Sequence, residues 1–243
     1  MQPRRLVAVI ALIATLAFLA PPAAGETRVR PVDTGQNLPA LGASELYEAG
    51  AGMAPQIEAY RTSGAYQADQ ARIARQARAF VDKALKECAR QPGCKPAVVF
   101  DIDDTLLSWY AVYAANQFAV PTAVEDAVIE SCETPAIGPV RALYNYARSK
   151  GATPFLITGR KAIGRQFAVS CLAERNIKGY RELIMRSPAQ YDLTAAVYKE
   201  QERKRITENG WTILFSIGDQ YSDSAGKYAG GRFVLPNPMY FIP

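Results

Sequence analysis

Short apolar runs alternate with amphipathic stretches along most of the chain. Five runs are typical of β-strands buried on both faces, namely residues 97–100, 154–157, 182–185, 211–217 and, at an edge, 232–235. Helical patterns lie between them over residues 137–150, 162–175 and 194–208. This alternation predicts an α/β fold with a mostly parallel, Rossmann-like sheet that is covered by helices on both faces.

The first part of the chain has a different pattern. Residues 26–43 contain several prolines and glycines, which predict an extended arm. Residues 44–61 and 65–89 have helical periodicity, and the second stretch carries one apolar face. We therefore expect residues 26–94 to form an N-terminal arm and helices that pack on a core domain of residues 95–243.

The N-terminus has the three parts of a secretory signal peptide. Arg4 and Arg5 precede an apolar run over residues 6–20, and prolines and small residues follow up to Gly25. This run is short for a membrane span, which needs about 20 residues, although an uncleaved anchor is the alternative. We expect residues 1–25 to be removed and the protein to be secreted or periplasmic, without stable membrane association afterwards.

Composition limits the chemistry that the chain can perform. The 243 residues include no histidine, which excludes Ser-His-Asp hydrolases, Cys-His proteases, histidine phosphatases and His-ligated zinc or iron sites. Loss of the two arginines of the signal segment would lower the net charge from +5 to +3. This charge is too mild to indicate a nucleic-acid duplex as partner, and no basic stripe is interleaved with aromatics.

Four cysteines lie in the part of the chain that is expected to be exported. They are Cys88, Cys94, Cys132 and Cys171. An even number in an oxidising compartment favours disulfides, and neither neighbouring pair has the C-x2-C spacing of a zinc site. Cys88 and Cys94 enclose a turn-rich loop that a disulfide would close easily, which leaves Cys132 to pair with Cys171.

Polar residues follow the carboxyl ends of three predicted strands: Asp101 with Asp103, then Thr158, then Asp219. Ligands of such sheets bind outside these strand ends. Asp101 and Asp103 can point to one side, because extended chain has a two-residue period. A solvated acidic turn is the alternative, but apolar residues flank the acids on both sides.

Two carboxylates this close need a counter-charge. At about 4 Å they repel by roughly 4 kcal/mol at an effective dielectric near 20. A phosphate bound beside them would add further negative charge, so a divalent cation would be required. Because the available donors are oxygens, Mg²⁺ is the expected ion.

Four segments, in this order along the chain, resemble the motifs of the haloacid dehalogenase superfamily. Motif I, D-x-D-x-T, matches residues 101–105, and motif II matches Thr158-Gly159-Arg160. Motif III matches Lys199 with Arg203, and motif IV, G-D-x-x-x-D, matches residues 218–223. The chain most resembles the secreted acid phosphatase branch, subfamily IIIB, which includes plant acid phosphatases and vegetative storage proteins.

The resemblance implies a phosphomonoesterase with an aspartyl-phosphate intermediate. Asp101 would attack phosphorus, and Asp103 would protonate the leaving group and then activate water. Thr158 and Lys199 would stabilise the transferring phosphoryl group, with Arg203 as the fallback for Lys199 or its partner. A position on a solvated, charged helix face is the alternative for Lys199.

The resemblance also implies the ligands of the metal. Mg²⁺ would be held by Asp101, by the backbone carbonyl of Asp103 and by Asp219. Asp223 would bind the ion directly or orient its waters. Helix capping by Asp219 and Asp223 is an additional role that both acids could have.

The resemblance places substrate contacts at Gly159 and Arg160 as well as at Thr158 and Lys199. Trp109 and Tyr110 would line the pocket, with core packing as the equal alternative. The superfamily inserts its cap between motifs I and II, which here gives a small cap at about residues 108–134, with short helices over 113–118 and 123–131. A small cap implies an open site that admits varied or large phosphomonoesters. We expect small-molecule phosphomonoesters, with nucleotides as candidates, to be the substrates.

Two other functions remain open on the same residues. One is a non-catalytic phosphate-binding, storage or surface protein of the same fold. The other is a phosphotransferase that passes the phosphoryl group to an acceptor other than water. The sequence also leaves a homo-oligomer open.

Overall fold

The computed structural model describes residues 47–242. The predicted signal segment and the extended arm of residues 26–43 therefore lie outside the described residues. The elements of the described part are, in chain order, β1 (Tyr47–Glu48), α1 (Gly50–Thr62), α2 (Ala65–Cys88), β2 (Pro96–Phe100), α3 (Tyr110–Ala115), α4 (Thr122–Ser131), α5 (Gly138–Ser149), β3 (Thr153–Lys161), α6 (Arg165–Glu174), β4 (Glu182–Arg186), α7 (Ala195–Glu208), β5 (Thr212–Gly218), β6 (Gly231–Val234) and β7 (Tyr240–Phe241).

Five strands form the central sheet, in the order β4-β3-β2-β5-β6. All four pairings between neighbours are parallel. The central strand, β2, is apolar and buried along residues 97–100, as expected of a strand covered on both faces. The predicted α/β fold is thus confirmed, and β6 lies at an edge as predicted.

Helices cover both faces of this sheet. Side chains alternate along β2, so Val98 and Phe100 pack in the cluster that includes residues of α2, α5 and α6. Ala97 and Val99 pack instead with Tyr198 of α7. The two clusters form the two layers of the core, and the strand ends between them are where the polar residues emerge.

Helix α2 contributes the apolar face that its periodicity predicts. Ile73, Ala77 and Val81 recur at four-residue steps and are buried against the core. α2 has 24 residues, but neither it nor any other described helix is long and apolar enough to cross a membrane.

A third apolar cluster, called here the aromatic cluster, lies beside the carboxyl edge of the sheet. Its buried members are Ile57, Trp109, Tyr113, Phe118, Val128, Met239 and Tyr240. They come from α1, from the segment between β2 and α5, and from the end of the described chain. Antiparallel pairing of β1 with β7 joins the two ends of the described chain beside this cluster.

Each of the two cysteine pairs forms a disulfide. Cys88–Cys94 closes the turn between α2 and β2, with Cα atoms 5.5 Å apart. Cys132–Cys171 ties the end of α4 to α6, with Cα atoms 5.2 Å apart. The second disulfide therefore anchors the segment predicted as a cap to the core.

Three predicted boundaries are wrong. The helix predicted from residue 44 begins at Gly50, because residues 47–48 pair with β7. The helix predicted over residues 113–118 is α3, Tyr110–Ala115, because Gln117 and Phe118 have φ of 54° and 58°, outside the helical range. β3 continues to Lys161 and so includes the residues expected to follow it.

Candidate active site

The carboxyl end of β2 delivers the first acids on a tight loop. The backbone N–H of Asp101 donates to the carbonyl of Ile217 in β5 at 3.0 Å, which extends the sheet by one residue. Asp104 then takes a φ of 49°, a left-handed conformation that Asp tolerates better than most residues. The chain turns back so that the N–H of Leu106 reaches the carbonyl of Ile102 at 2.8 Å.

Lys199 meets these acids from α7. Its Nζ donates to Oδ1 of Asp101 at 2.7 Å and also to Oδ1 of Asp223. Burial alone would lower the pKa of Lys199, but the two carboxylates raise it above its ordinary value. Lys199 is therefore a buried, charged residue of the site and does not lie on a solvated helix face.

Three acids converge where a cation could bind. Asp101, Asp219 and Asp223 each place one carboxylate oxygen within 4.8 Å of the other two. All three are buried, and Lys199 is the cation that contacts two of them. Burial, followed by the other acids nearby, raises the pKa of Asp101 against the opposing effect of Lys199.

Asp219 is oriented by neutral donors. Thr105 Oγ1 donates to Oδ1 at 3.2 Å, while Gln220 Nε2 and Asn237 Nδ2 each donate to Oδ2 at 2.7 Å. Burial raises the pKa of Asp219 to about 7, with Asp223 adding to the effect. An acid held in one orientation and short of positive charge is suited to ligate a divalent ion.

Gly218 makes room for this arrangement. A Cβ at residue 218 would collide with the Asp223 carboxylate, which returns over the end of β5. The backbone N–H of Gln220 donates to Oδ2 of Asp223 at 2.8 Å and fixes the turn. Steric exclusion of a Cβ therefore explains why motif IV has a glycine at this position.

Arg203 has a different place from the one expected. It is fully buried and donates to the backbone carbonyls of Asp223, Ala225 and Lys227. Its guanidinium therefore supports the loop after β5. The expectation that Arg203 could replace Lys199 as the phosphate-facing cation is wrong, because its donors are directed to this loop.

Asp103 faces other donors. Arg160 contacts it through Nη2 to Oδ1 at 2.6 Å and Nε to Oδ2 at 3.0 Å, and Trp109 Nε1 donates to Oδ1 at 2.6 Å. Burial would raise the pKa of Asp103, but the Arg160 guanidinium lowers it below its ordinary value. The Asp103 side chain is 27% exposed and that of Asp101 only 6%, so solvent reaches Asp103 more readily.

The motif II residues differ in their surroundings. Thr158 is fully buried, and its Oγ1 accepts the backbone N–H of Arg160 at 3.2 Å, which leaves the hydroxyl hydrogen free to be donated. Gly159 is exposed, and a Cβ there would meet open space. The backbone of Gly159 is thus accessible to a ligand beside Thr158.

The two aromatic residues predicted in the pocket belong to the aromatic cluster. Trp109 is buried but reaches the site through its indole N–H. Tyr110 is half-buried, packs against Phe118 at 6.0 Å between ring centroids and lies under the Arg61 guanidinium at 4.8 Å. For Tyr110 the core-packing alternative describes the contacts better.

Two residues that hold Asp219 are not among the positions that the sequence motifs specify. Gln220 lies inside motif IV, at a position the motif leaves free. Asn237 lies after β6 between two prolines, and its Oδ1 also accepts the backbone N–H of Met239 at 2.8 Å. The prolines were a signal of a rigid turn, but nothing in the sequence linked Asn237 to Asp219.

With this geometry, comparison with known proteins identifies the family. The profile of the haloacid dehalogenase superfamily, subfamily IIIB (acid phosphatase), matches residues 41–243, and the chain belongs to this family. The resemblance found in the four motifs is therefore confirmed.

Individual relatives share about a third of their residues with this chain over the matched segment. The chain is 34% identical over 148 residues to acid phosphatase 1 of Solanum lycopersicum, which covers 59% of this chain and 58% of the relative. It is 32% identical over 149 residues to vegetative storage protein 1 of Arabidopsis thaliana, which covers 60% of this chain and 55% of the relative. The chain thus spans less than two thirds of these proteins.

A solved structure has the same fold. The class C acid phosphatase from Bacillus anthracis superimposes with a TM-score of 0.63 and 21% identity, over 79% of this chain and 85% of that chain. The same enzyme has been solved with tungstate bound.

Proposed function

We propose that this protein is an exported, Mg²⁺-dependent acid phosphatase of broad specificity that hydrolyses phosphomonoesters through an aspartyl-phosphate intermediate. The observation that carries the proposal is the position of Asp101. Its buried carboxylate lies 2.7 Å from Lys199 Nζ and within 4.8 Å of oxygens of Asp219 and Asp223. Membership of the acid phosphatase subfamily supports the same reaction.

The three converging acids fit a divalent ion. Asp101, Asp219 and Asp223 would hold it, and the backbone carbonyl of Asp103 would add an oxygen. An all-oxygen ligand set matches the preference of Mg²⁺. When bound, the ion supplies positive charge that offsets the negative charge of a phosphate beside the acids.

The side chains around Asp101 carry the first step. A carboxylate oxygen of Asp101 forms a bond to phosphorus while the bond from phosphorus to the ester oxygen breaks. Lys199 offsets the charge on Asp101 and on the phosphoryl group, and the Thr158 hydroxyl donates to a phosphoryl oxygen. Arg160, whose guanidinium contacts Asp103, would bind the incoming phosphate.

Asp103 handles the protons. When the Arg160 guanidinium, which lowers the pKa of Asp103, binds the phosphate instead, Asp103 can hold a proton. Asp103 gives this proton to the departing alkoxide and later accepts one from the water that hydrolyses the aspartyl-phosphate. The greater exposure of the Asp103 side chain supports this role, because the ester group departs toward solvent.

Export and substrate range rest on separate observations. Two disulfides fit an oxidising compartment, in line with the signal segment predicted at residues 1–25. The helices of the predicted cap, α3 and α4, are short, which supports an open site for varied phosphomonoesters, with nucleotides as candidate substrates.

The test is replacement of the nucleophile. Asp101→Asn keeps the size of the side chain but removes the nucleophilic charge, so hydrolysis of p-nitrophenyl phosphate should fall by about 10³-fold or more. Acid quenching during turnover should trap phosphate on the wild type and not on the variant. Glu208→Gln, an exposed carboxyl-to-amide change at the end of α7, is the matched control. Unchanged turnover of Asp101→Asn, or full wild-type activity in EDTA, would reject the proposal.

A storage function is the second candidate. It is favoured by the similarity to vegetative storage protein 1, and the motif-I acids argue against it. A purified protein that binds Mg²⁺ but hydrolyses no ester in a panel would support storage. Products from added alcohol acceptors would reveal phosphoryl transfer to acceptors other than water.

A further inference from the structure

We propose that Trp109 is a positioning residue that holds Asp103 ready to protonate the leaving group. The indole Nε1–H donates to Oδ1 of Asp103 at 2.6 Å, and Trp109 itself is 4% exposed. The inference rests on the proposed function and assigns to one aromatic side chain the orientation of the proton donor.

The direction of the indole N–H is fixed from two sides. The backbone N–H of Trp109 donates to Oδ1 of the fully buried Asp104 at 2.9 Å. The ring packs in the aromatic cluster with Tyr113, Phe118 and Met239. A ring that is locked in this way holds its acceptor in one orientation without further loss of entropy.

Arg160 also contacts Asp103, but its part in the reaction differs. A guanidinium is suited to bind a phosphate in a two-pronged manner, and a phosphate near motif II competes with Asp103 for it. The indole is neutral and has one donor, so it has little to gain from a phosphate. When Arg160 turns to the substrate, Trp109 keeps Oδ1 of Asp103, and Oδ2 is left to face the departing oxygen.

A proton donor matters in proportion to the basicity of the leaving group. An alkoxide must be protonated as it departs, whereas 2,4-dinitrophenolate departs as a stable anion. Trp109→Phe removes the donor and keeps an aromatic ring. We expect kcat/KM for glycerol 2-phosphate to fall about tenfold or more, the usual size for a hydrogen bond to a charged group. For 2,4-dinitrophenyl phosphate kcat/KM should change little.

The control uses the second of the two tryptophans of the chain. Trp211 immediately precedes β5 and packs on Phe155, with ring centroids 5.4 Å apart, in the cluster of the α7 face. Trp211→Phe should leave the dependence on the leaving group as in the wild type. A loss of equal size for all esters in Trp109→Phe would overturn the positioning role while leaving the phosphatase proposal intact. Absence of hydrolysis by the wild type would overturn both.

A second measurement, on protein that retains Trp109, tests the contact if Trp109→Phe does not fold. Two tryptophans give two indole N–H signals in a proton–nitrogen correlation NMR spectrum. Asp103→Asn should move one of them strongly, because its charged acceptor is lost, and leave the other in place. If neither signal moves, the contact does not exist in solution and the inference is wrong.

Discussion

Two regions beside the carboxyl edge of the sheet are built on opposite principles. The first, the acidic rim, consists of Asp101, Lys199, Asp219 and Asp223, all buried and charged or oriented by hydrogen bonds. The second is the aromatic cluster around Phe118. Burying the charges of the rim costs stability even when they are paired, whereas burying the cluster's aromatic rings supplies it. This protein thus places the buried charges of its candidate site at the ends of the strands and stabilises the surroundings with apolar surface.

The largest expected effect is in the acidic rim. Lys199→Met leaves Asp101 and Asp223 buried without their shared cation. We expect kcat to fall about 10²- to 10³-fold, the cost of removing one preorganised donor, and the metal-free protein to lose about 3–5 kcal/mol of stability. Added Mg²⁺ should recover part of that stability. Steady-state kinetics and urea unfolding with and without EDTA measure both.

The control for this change lies on the same helix. Lys204→Met removes an exposed ammonium that pairs with Glu208, and both quantities should stay near their wild-type values. A loss of activity below tenfold in Lys199→Met would show that the rim does not depend on its cation.

A substitution in the aromatic cluster should lower stability with little effect on the catalytic rate. Phe118→Ala deletes a fully buried ring and should cost about 3–5 kcal/mol of stability. For 2,4-dinitrophenyl phosphate, whose leaving group needs no proton from Asp103, kcat of the folded fraction should change little. Val169→Ala, a truncation of an exposed residue on α6, is the control for the loss of apolar atoms. A large fall in kcat would show that the two regions are not separable.

The two disulfides should contribute unequally to the stability of the protein. Cys132–Cys171 spans 39 residues and Cys88–Cys94 only 6. In the chain-entropy account, replacing both cysteines of a pair by serine costs about 4 kcal/mol for the long loop and about 2 kcal/mol for the short one. Thermal unfolding of the two double variants measures the difference. Equal losses would mean that strain or local packing, and not loop length, sets the contribution of each bond.

The last expected effect is a dependence of stability on pH where the two regions meet. Burial raises the pKa of Asp104 to about 7, against about 3.9 in an unfolded chain. Between these values the folded state binds more protons than the unfolded state, so the stability of the metal-free protein falls as pH rises from about 4 to about 7.

Asp104→Asn should make this fall less steep, because the amide does not titrate while Asp219, whose pKa is also about 7, still does. The exposed Asp192→Asn should leave it unchanged. Urea unfolding in EDTA across this pH range tests the prediction, and an identical slope in Asp104→Asn and the wild type would contradict it.

The local pattern of apolar residues predicts much of the fold. The apolar runs that became β2, β3 and β5 are recognisable because a strand covered on both faces needs an unbroken apolar run. Pattern failed where a distant partner decides the conformation. Residues 47–48 look helical by local preference but pair with β7, at the other end of the described chain.

The sequence by itself determined which side chains make up the candidate site. The chain has no histidine, acids follow β2 and β5, and parallel strands bring their carboxyl ends to one edge, so the candidate site is built on carboxylates with a lysine. The tertiary structure alone decided which neutral and charged donors hold each acid: Asn237 on Asp219, and Arg160 on Asp103 across 57 residues of chain. Such contacts join single residues without any repeat, so they leave no periodic trace in the sequence and arise only when the chain has folded.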